Sequence, residues 1–482
     1  MRRAPPGRRM PTHREKRPPR TAPGHRPRAV RALVILSIPL CAGCVEILGD
    51  YRSSGCSEVD CSRWAKRFGD LAEQAAAGVV VLPDDDLVVL TNGAGTIDFG
   101  RAQIKTSGVS DVLVTRFDPG GAERWTQVLS GPGADYGNTI ALDPKGNVLV
   151  AGSFEGSVTF AGEPLVSAGD RDIFVAKLSP DGDLLWARTF GDLQVQAAYG
   201  VGADGEGNVL VTGCFAGDLT VGATLVQSPT SNDVFVMKLD EDGEPRWVYA
   251  TGAASTLECG ARIAADASGN VLVAGNFQGT VTFEQTHATL GVDDVFLAKL
   301  DPEGLPLWSR RYGAGGDDFV SGLTITPAGY VVLAGAYQSI VDFGGGISLT
   351  AIATYDPFVA SIQSDGTTAW ATGLGGDDIG LLTGVALDPE SNILVSGYSG
   401  PNFDDVDAEV TSLGSNGEVR WARRWPSPGS QEATAIAVDA AGDTVLAGRF
   451  SDELELSGTA LKSAGANDVF LAKLGPSSAS PE

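Results

Sequence analysis

The sequence predicts an all-β fold, a seven-bladed β-propeller of four-stranded antiparallel blades, on three observations. These are a tryptophan period, a fixed order of four short strand patterns within it, and chain ends that complement each other. Seven of the eight tryptophans stand at Trp64, Trp125, Trp186, Trp247, Trp308, Trp370 and Trp421, spaced by 61 residues four times and then by 62 and 51. A period of this size marks stacked or radial repeats.

Each unit reads alike. A tryptophan strand such as Leu184–Phe190 (LLWARTF) is followed by a Gly/Asp-rich loop and an apolar strand such as Thr139–Asp143 (TIALD). A Gly-Asn turn leads into Asn147–Ala151 (NVLVA), and a longer connection crosses to Ile173–Leu178 (IFVAKL). An Asp-Gly turn then returns the chain to the next tryptophan. Short strands punctuated by Gly, Asp, Asn and Pro are hairpin chemistry. Val148-Leu149-Val150-Ala151 is apolar throughout, as for a strand covered on both faces. In IFVAKL, Phe174, Ala176 and Leu178 share one face and Lys177 takes the other, which predicts a half-exposed strand.

The NVLVA pattern occurs seven times, beginning near Asp86, Asn147, Asn208, Asn270, Tyr330, Asn392 and Asp443, and the IFVAKL pattern also seven times, ending at Val469–Leu474. No tryptophan strand follows Leu474, and a lone one, Ser62–Phe68 (SRWAKRF), opens the series. The expectation is that Ser62–Phe68 completes the blade holding residues 433–474, which leaves no open edge.

The strings Asp172–Leu178 (DIFVAKL), Asp181-Gly182 to Trp186, and Gly207–Gly213 (GNVLVTG) resemble the seven-bladed β-propeller repeat family called SBBP. The resemblance covers residues 62–475 and implies the fold; it implies no particular activity. The sixth unit is ten residues shorter, since Phe403–Leu413 lacks the usual connection.

Ahead of the repeats, residues 1–44 carry ten arginines and Lys16 against Glu15, and include a short apolar run, Ala32–Leu40. The run suits a signal peptide rather than a span. It ends in Leu40-Cys41-Ala42-Gly43-Cys44, which resembles a bacterial lipobox with Cys41 in an unusual place. The reading is a leader (1–44) with lipidation at Cys44, a tether (45–61), the propeller (62–475) and a polar tail (476–482). An ordinary cleaved signal and an uncleaved anchor are the alternatives. Val45 after the lipidated cysteine suggests an outer-membrane or cell-surface address.

Beyond residue 44 the chain holds 24 basic and 59 acidic residues, so its net charge is near −35, against −25 for the whole. Such a body repels nucleic acid and favours cations and cationic partners. Export permits disulfides. The repeat places Cys214 and Cys259 on one face in neighbouring blades, so they are expected to pair, with two buried thiols as the alternative; Cys56 and Cys61 are expected to close a small loop.

Strand direction gathers the long connections on one face, the loop face, and leaves tight glycine turns on the other. Binding usually resides on such loops. An aspartate precedes every IFVAKL-type strand on that face: Asp111, Asp172, Asp233, Asp294, Asp356, Asp407 and Asp468; Asp317-Asp318 and Asp377-Asp378 add to it. A carboxylate ring could bind calcium weakly or a cationic partner. The favoured reading is seven local turns that satisfy backbone N–H groups, because a residue present in every repeat usually serves the repeat. By the same reasoning the tryptophans are blade packing rather than a carbohydrate platform.

Only His287 lies outside the leader, which argues against His-based metal sites and a Ser-His-Asp triad. No phosphate-cradling glycine loop opens a helix. The sequence therefore predicts a monomeric, non-enzymatic envelope lipoprotein without a cofactor, binding a protein, peptide or glycan through its acidic loop face. An envelope assembly scaffold on membrane machinery is the neighbouring alternative, and a carboxylate-based glycan hydrolase the third.

Overall fold

The computed structural model describes residues 62–252, 257–456 and 458–476. The leader, Cys44, the tether with Cys56 and Cys61, and the tail from residue 477 onward lie outside them. Among the described residues the regular elements are all strands, and the fold is all-β.

The strands pair into antiparallel sets of four. In one set the order is Gln196–Ala203, Val209–Val221, Thr224–Leu239 and Pro245–Thr251; here these positions are termed inner, second, third and outer. The outer strand is always the tryptophan strand. The other inner strands are Gln74–Val81, Tyr136–Leu142, Glu258–Ala265, Asp318–Ile325, Ile379–Leu387 and Gln431–Val438. The set that begins with Gln431–Val438 takes its outer strand from the start of the chain. There Ser62–Phe68 runs antiparallel to Asp468–Leu474, with Phe68 opposite Val469 and Ser62 opposite Leu474.

Second and third strands either continue outward as one long hairpin, as in Val148–Phe160 with Glu163–Leu178, or break into a separate ribbon such as Thr280–Thr282 with Thr286–Ala288. The sixth set has neither: Ile393–Asn402 turns directly into Asp405–Leu413, the missing connection foreseen from the sequence.

Two contacts explain the period. Six of the seven repeat tryptophans, all but Trp421, lie on a glycine of the next set's turn. A Cβ on Gly182 would stand 2.7 Å from the Trp125 ring and one on Gly243 2.8 Å from Trp186, and both glycines have positive φ, so only glycine fits. The indole N–H donates to a carbonyl of that same turn: Trp125 to Pro180 (2.9 Å), Trp186 to Glu241 (2.9 Å), Trp247 to Pro302 (3.0 Å) and Trp370 to Ser415 (3.0 Å). Deeper in, a phenylalanine of the second strand meets one of the third edge-on, as in Phe154–Phe174 (6.5 Å), Phe215–Phe235 (6.4 Å), Phe277–Phe296 (6.3 Å) and Phe450–Phe470 (6.4 Å).

One expectation fails. Lys177 is not on an exposed face; it is 3% exposed, and every residue of Ile173–Leu178 is buried. Its ammonium meets Asp143 at 2.7 Å, and the pattern repeats in Lys238–Asp204 (2.8 Å), Lys299–Asp266 (2.8 Å) and Lys473–Asp439 (2.6 Å). The aspartate opens the tight glycine turn before the second strand. Its Oδ1 accepts the N–H groups of Lys145 and Asn147 while Oδ2 takes the lysine. Burial opposes ionisation of Asp143, but the hydrogen bonds from Lys177 and Asn147 outweigh it and hold the carboxyl below its ordinary range. The third strand is thus covered on both faces, and its one charge is paired inside the protein.

Candidate functional site

The seven repeated aspartates stand at the start of the third strands. Six are buried and Asp233 is half-buried. Five accept the N–H of the residue four positions earlier: Ser107 to Asp111 (2.6 Å), Ala168 to Asp172 (2.8 Å), Leu290 to Asp294 (2.9 Å), Ile352 to Asp356 (2.7 Å) and Ala464 to Asp468 (2.8 Å). Each clasps its own loop, the turn role expected of a residue common to every repeat. Asp407, with no long connection to clasp, accepts instead from Ser427 N–H and Arg424. Among the described residues no group of three or more His, Cys, Asp or Glu side chains has the geometry to hold a metal ion.

Three clasps also face the first residue of the next inner strand, and Asp111 acts on Asp135, the residue just before Tyr136–Leu142. A Cβ on Gly69 would lie 2.3–2.5 Å from both Asp468 and Gln74, one on Gly191 2.5 Å from both Asp172 and Gln196, and one on Gly313 2.5–2.7 Å from both Asp294 and Asp318. Where the facing residue is glutamine, its amide donates to a loop carbonyl: Gln74 to Ala94 (2.7 Å) and Gln196 to Ala216 (2.9 Å). Where it is Asp135 or Asp318, two carboxyls confront each other. Burial, followed by the neighbouring charges, raises Asp135 to about 7 and Asp318 to about 8.

Cys214 and Cys259 form a disulfide between neighbouring sets, with Cα atoms 4.7 Å apart. Cys259 lies within the inner strand Glu258–Ala265. The loops themselves are laced together by parallel bridges such as Arg171 with Val195 and Asp293 with Asp317. Large apolar side chains stand exposed among them, including Leu71, Val109, Leu193, Leu290 and Ile352. His287 Nε2 lies 2.7 Å from Ser309 Oγ, but Ser309 is fully buried and Glu284 accepts its backbone N–H. That arrangement ties a ribbon to an outer strand and offers no accessible nucleophile.

The seven-fold pattern breaks in the sixth set. Two residues after the clasp aspartate, five sets carry phenylalanine (Phe174, Phe235, Phe296, Phe358 and Phe470) and one carries Leu113; the sixth carries Glu409. Opposite the clasp, five sets carry an aromatic (Phe154, Phe215, Phe277, Tyr337 and Phe450), the first has Gly93 opposite Asp111, and the sixth has Ser399 opposite Asp407. Ser399 Oγ donates to Glu409 Oε2 at 2.7 Å, so a hydrogen-bonded polar pair replaces the aromatic pair. Beside it opens a cavity of about 420 Å³, lined by Glu409, Ser399, Arg424, Asp377 and Asp378 among others. Arg424 bridges Asp378 (2.8 Å) and Asp407 (2.9 Å), and Asp377 is exposed. Burial pushes the Glu409 carboxyl upward, and Asp378 and Asp407 add to this against the opposing Ser399 hydrogen bond and Arg424 charge. Sequence reasoning singled out Asp377 and Asp378 but passed over Glu409 and Ser399. Aligning the repeats column by column, DIFVAKL against DAEVTSL, exposes both departures.

Residues 124–153 match the model of the SBBP beta-propeller repeat. The chain is 22% identical to an uncharacterized WD repeat-containing protein, L264, of Acanthamoeba polyphaga mimivirus, over 78% of this chain and 34% of that one. It therefore spans about a third of that relative's length. A protein of unknown function from Dyadobacter fermentans has a similar structure at a TM-score of 0.42 and 12% identity, covering 86% of this chain and 98% of that one. XC5397 of Xanthomonas campestris, described as a gluconolactonase, is similar at a TM-score of 0.31 and 14% identity, over 70% of this chain and 98% of that one. With the SBBP match falling on one of a series of alike four-stranded sets, the chain is a β-propeller repeat protein.

Proposed function

We propose that the chain is a monomeric seven-bladed propeller sealed by its own ends, exported and lipid-anchored through Cys44 at the outer membrane or cell surface. It acts without catalysis, binding a protein, peptide or glycan through its acidic loop face, with the sixth-blade cavity as the recognition pocket. Closure is supported by the pairing of Ser62–Phe68 with Asp468–Leu474 and by the Thr434 hydroxyl, which donates to Ala76 O at 2.7 Å across the seam. Export is supported by the Cys214–Cys259 disulfide, since such bonds persist in oxidising compartments.

The binding reading rests on the exchange of a buried aromatic pair for Ser399–Glu409 beside a cavity. The first set also lacks the aromatic pair, with Gly93 and Leu113, but only the sixth puts a hydrogen-bonded carboxyl in its place, and a pocket with a few convergent polar groups is how ligands are held. A carboxylate hydrolase is the second reading, favoured by the raised Glu409 carboxyl near Asp378.

The test is a glycan and peptide array probed with the mature protein, with Glu409→Gln, and with the double variant Ser399→Phe/Glu409→Phe that restores the repeat pattern. Binding should fall at least ~10-fold in both variants, in line with the loss of a charge-assisted buried contact. Unchanged binding in both overturns the pocket assignment. Cleavage of a bound glycan by the parent protein, abolished in Glu409→Gln, would transfer the assignment to the hydrolase.

A further inference from the structure

A second cavity, of about 190 Å³, is lined by residues from the inner strands of all seven sets. Every inner strand carries a β-bulge at the same point, where the register slips by one residue. The residue just after the bulge is glycine in four strands (Gly78, Gly200, Gly322 and Gly384) and Ala435 or Thr139 in two more. The position is tight: a Cβ on Gly78 would meet Ile140 at 2.5 Å and one on Gly322 would meet Val385 at 2.9 Å. In the remaining strand this residue is Arg262.

Arg262 has no carboxylate partner among the described residues, in a protein where acids greatly outnumber bases. Its Nη1 donates to Ala261 O (2.8 Å) and more distantly to Tyr199 O (3.4 Å). Nε and Nη2 have no partner among the described residues. Neighbouring polar side chains use their donors elsewhere: Asn138 on Ala198 O (2.9 Å), Ser321 on Leu382 O (2.6 Å), Thr383 on Ala433 O and Thr434 on Ala76 O (2.7 Å). Burial pushes the guanidinium down to about 10, with no acidic neighbour to offset it. The side chain is half-buried and lines the cavity. A guanidinium there, where the other six inner strands place a small residue and no described carboxylate pairs with it, is a cation available to an anion from solution.

We propose that Arg262 makes this central cavity a binding site for one small oxyanion, either an inorganic ion or a carboxylate. Three free N–H bonds of a planar guanidinium suit a forked contact with such a group. The volume admits a sulfate- or acetate-sized ion with a few waters, each of which takes about 30 Å³.

The test uses the mature protein and Arg262→Gly, the residue that four inner strands already tolerate. Each is titrated with sodium sulfate, sodium phosphate and sodium acetate at fixed ionic strength and followed by thermal unfolding and calorimetry. Crystals of the parent protein grown with bromide are examined for anomalous signal in the cavity. Stabilisation by at least one anion, of a few degrees in Tm at ~100 times its Kd, is expected in the parent and absent in Arg262→Gly. Response to acetate alone identifies a carboxylate site; response to sulfate or phosphate identifies an inorganic one. Equal shifts in both proteins overturn the proposal. If Arg262→Gly fails to fold, the parent decides: calorimetric binding with a bromide peak beside Arg262 upholds the site, and the lack of either overturns it.

Discussion

Raising the pH should weaken this protein through Asp318. The carboxyl is fully buried, faces Asp294 across Gly313, and has no well-aligned hydrogen-bond partner on either oxygen. Asp294 is itself paired with Arg311 at 2.9 Å, so that cation is already engaged. Burial raises Asp318 from 3.8 to about 8, and the charges of Asp294 and Asp317 contribute in the same direction. Since the folded value lies above the unfolded one, the native state binds more protons between pH 4 and pH 8. Stability is therefore fully present below the unfolded pKa and is lost as pH rises through the folded pKa. The change corresponds to about 5 kcal/mol over that window, a large part of the stability of an ordinary domain. Asp135, raised to about 7, adds a smaller loss of the same sign.

The perturbation is Asp318→Asn, which keeps the shape and removes the ionisation. Guanidinium unfolding midpoints would be measured at pH 5, 7 and 9 for the parent, for Asp318→Asn, and for the double variant with Asp135→Asn. The parent should lose stability steadily across the series, the single variant should lose much less, and the double variant should be nearly flat. At pH 9 Asp318→Asn should exceed the parent by several kcal/mol. Identical pH dependence in parent and single variant would refute the reasoning.

Removing Ser62–Phe68 strips a whole strand from the Gln431–Val438 set, so its Tm should fall far more than after removal of residues 477–482; similar melting of the two truncations would contradict the proposed closure. Trp186→Ala should cost about 3–5 kcal/mol in equilibrium unfolding, because the ring packs on Gly243 and its N–H donates to the Glu241 carbonyl of the next set. A loss below about 1 kcal/mol would show that the repeated tryptophan does not hold neighbouring sets together.

Much of the architecture was legible in the sequence because it recurs. A 61-residue period, four strand patterns per unit and an unmatched tryptophan strand at the start specified which strands pair, down to Ser62–Phe68 on Asp468–Leu474. The same register brought Cys214 and Cys259 into neighbouring sets, and the structure joins them. The shortened sixth unit was visible as a ten-residue gap, though its consequence was not.

What the tertiary structure alone decided concerns contacts between one repeat and the next. Alternation along a single strand placed Lys177 in solvent; Asp143 in the turn and Glu241 in the following set place it inside, and no period-two pattern reports either neighbour. The clasp aspartates were readable as turns, but their confrontation with Gln74, Asp135 or Asp318 depends on how adjacent sets dock. The same holds for Glu409, an unremarkable acid in an acidic chain until the aromatic column it interrupts is packed, and for Arg262, one arginine among many until seven bulged strands surround it. Repetition encodes the strands and their order. The chemistry sits where one repeat departs from the others, and the environment of such a residue is supplied by chain that lies a whole repeat or more away.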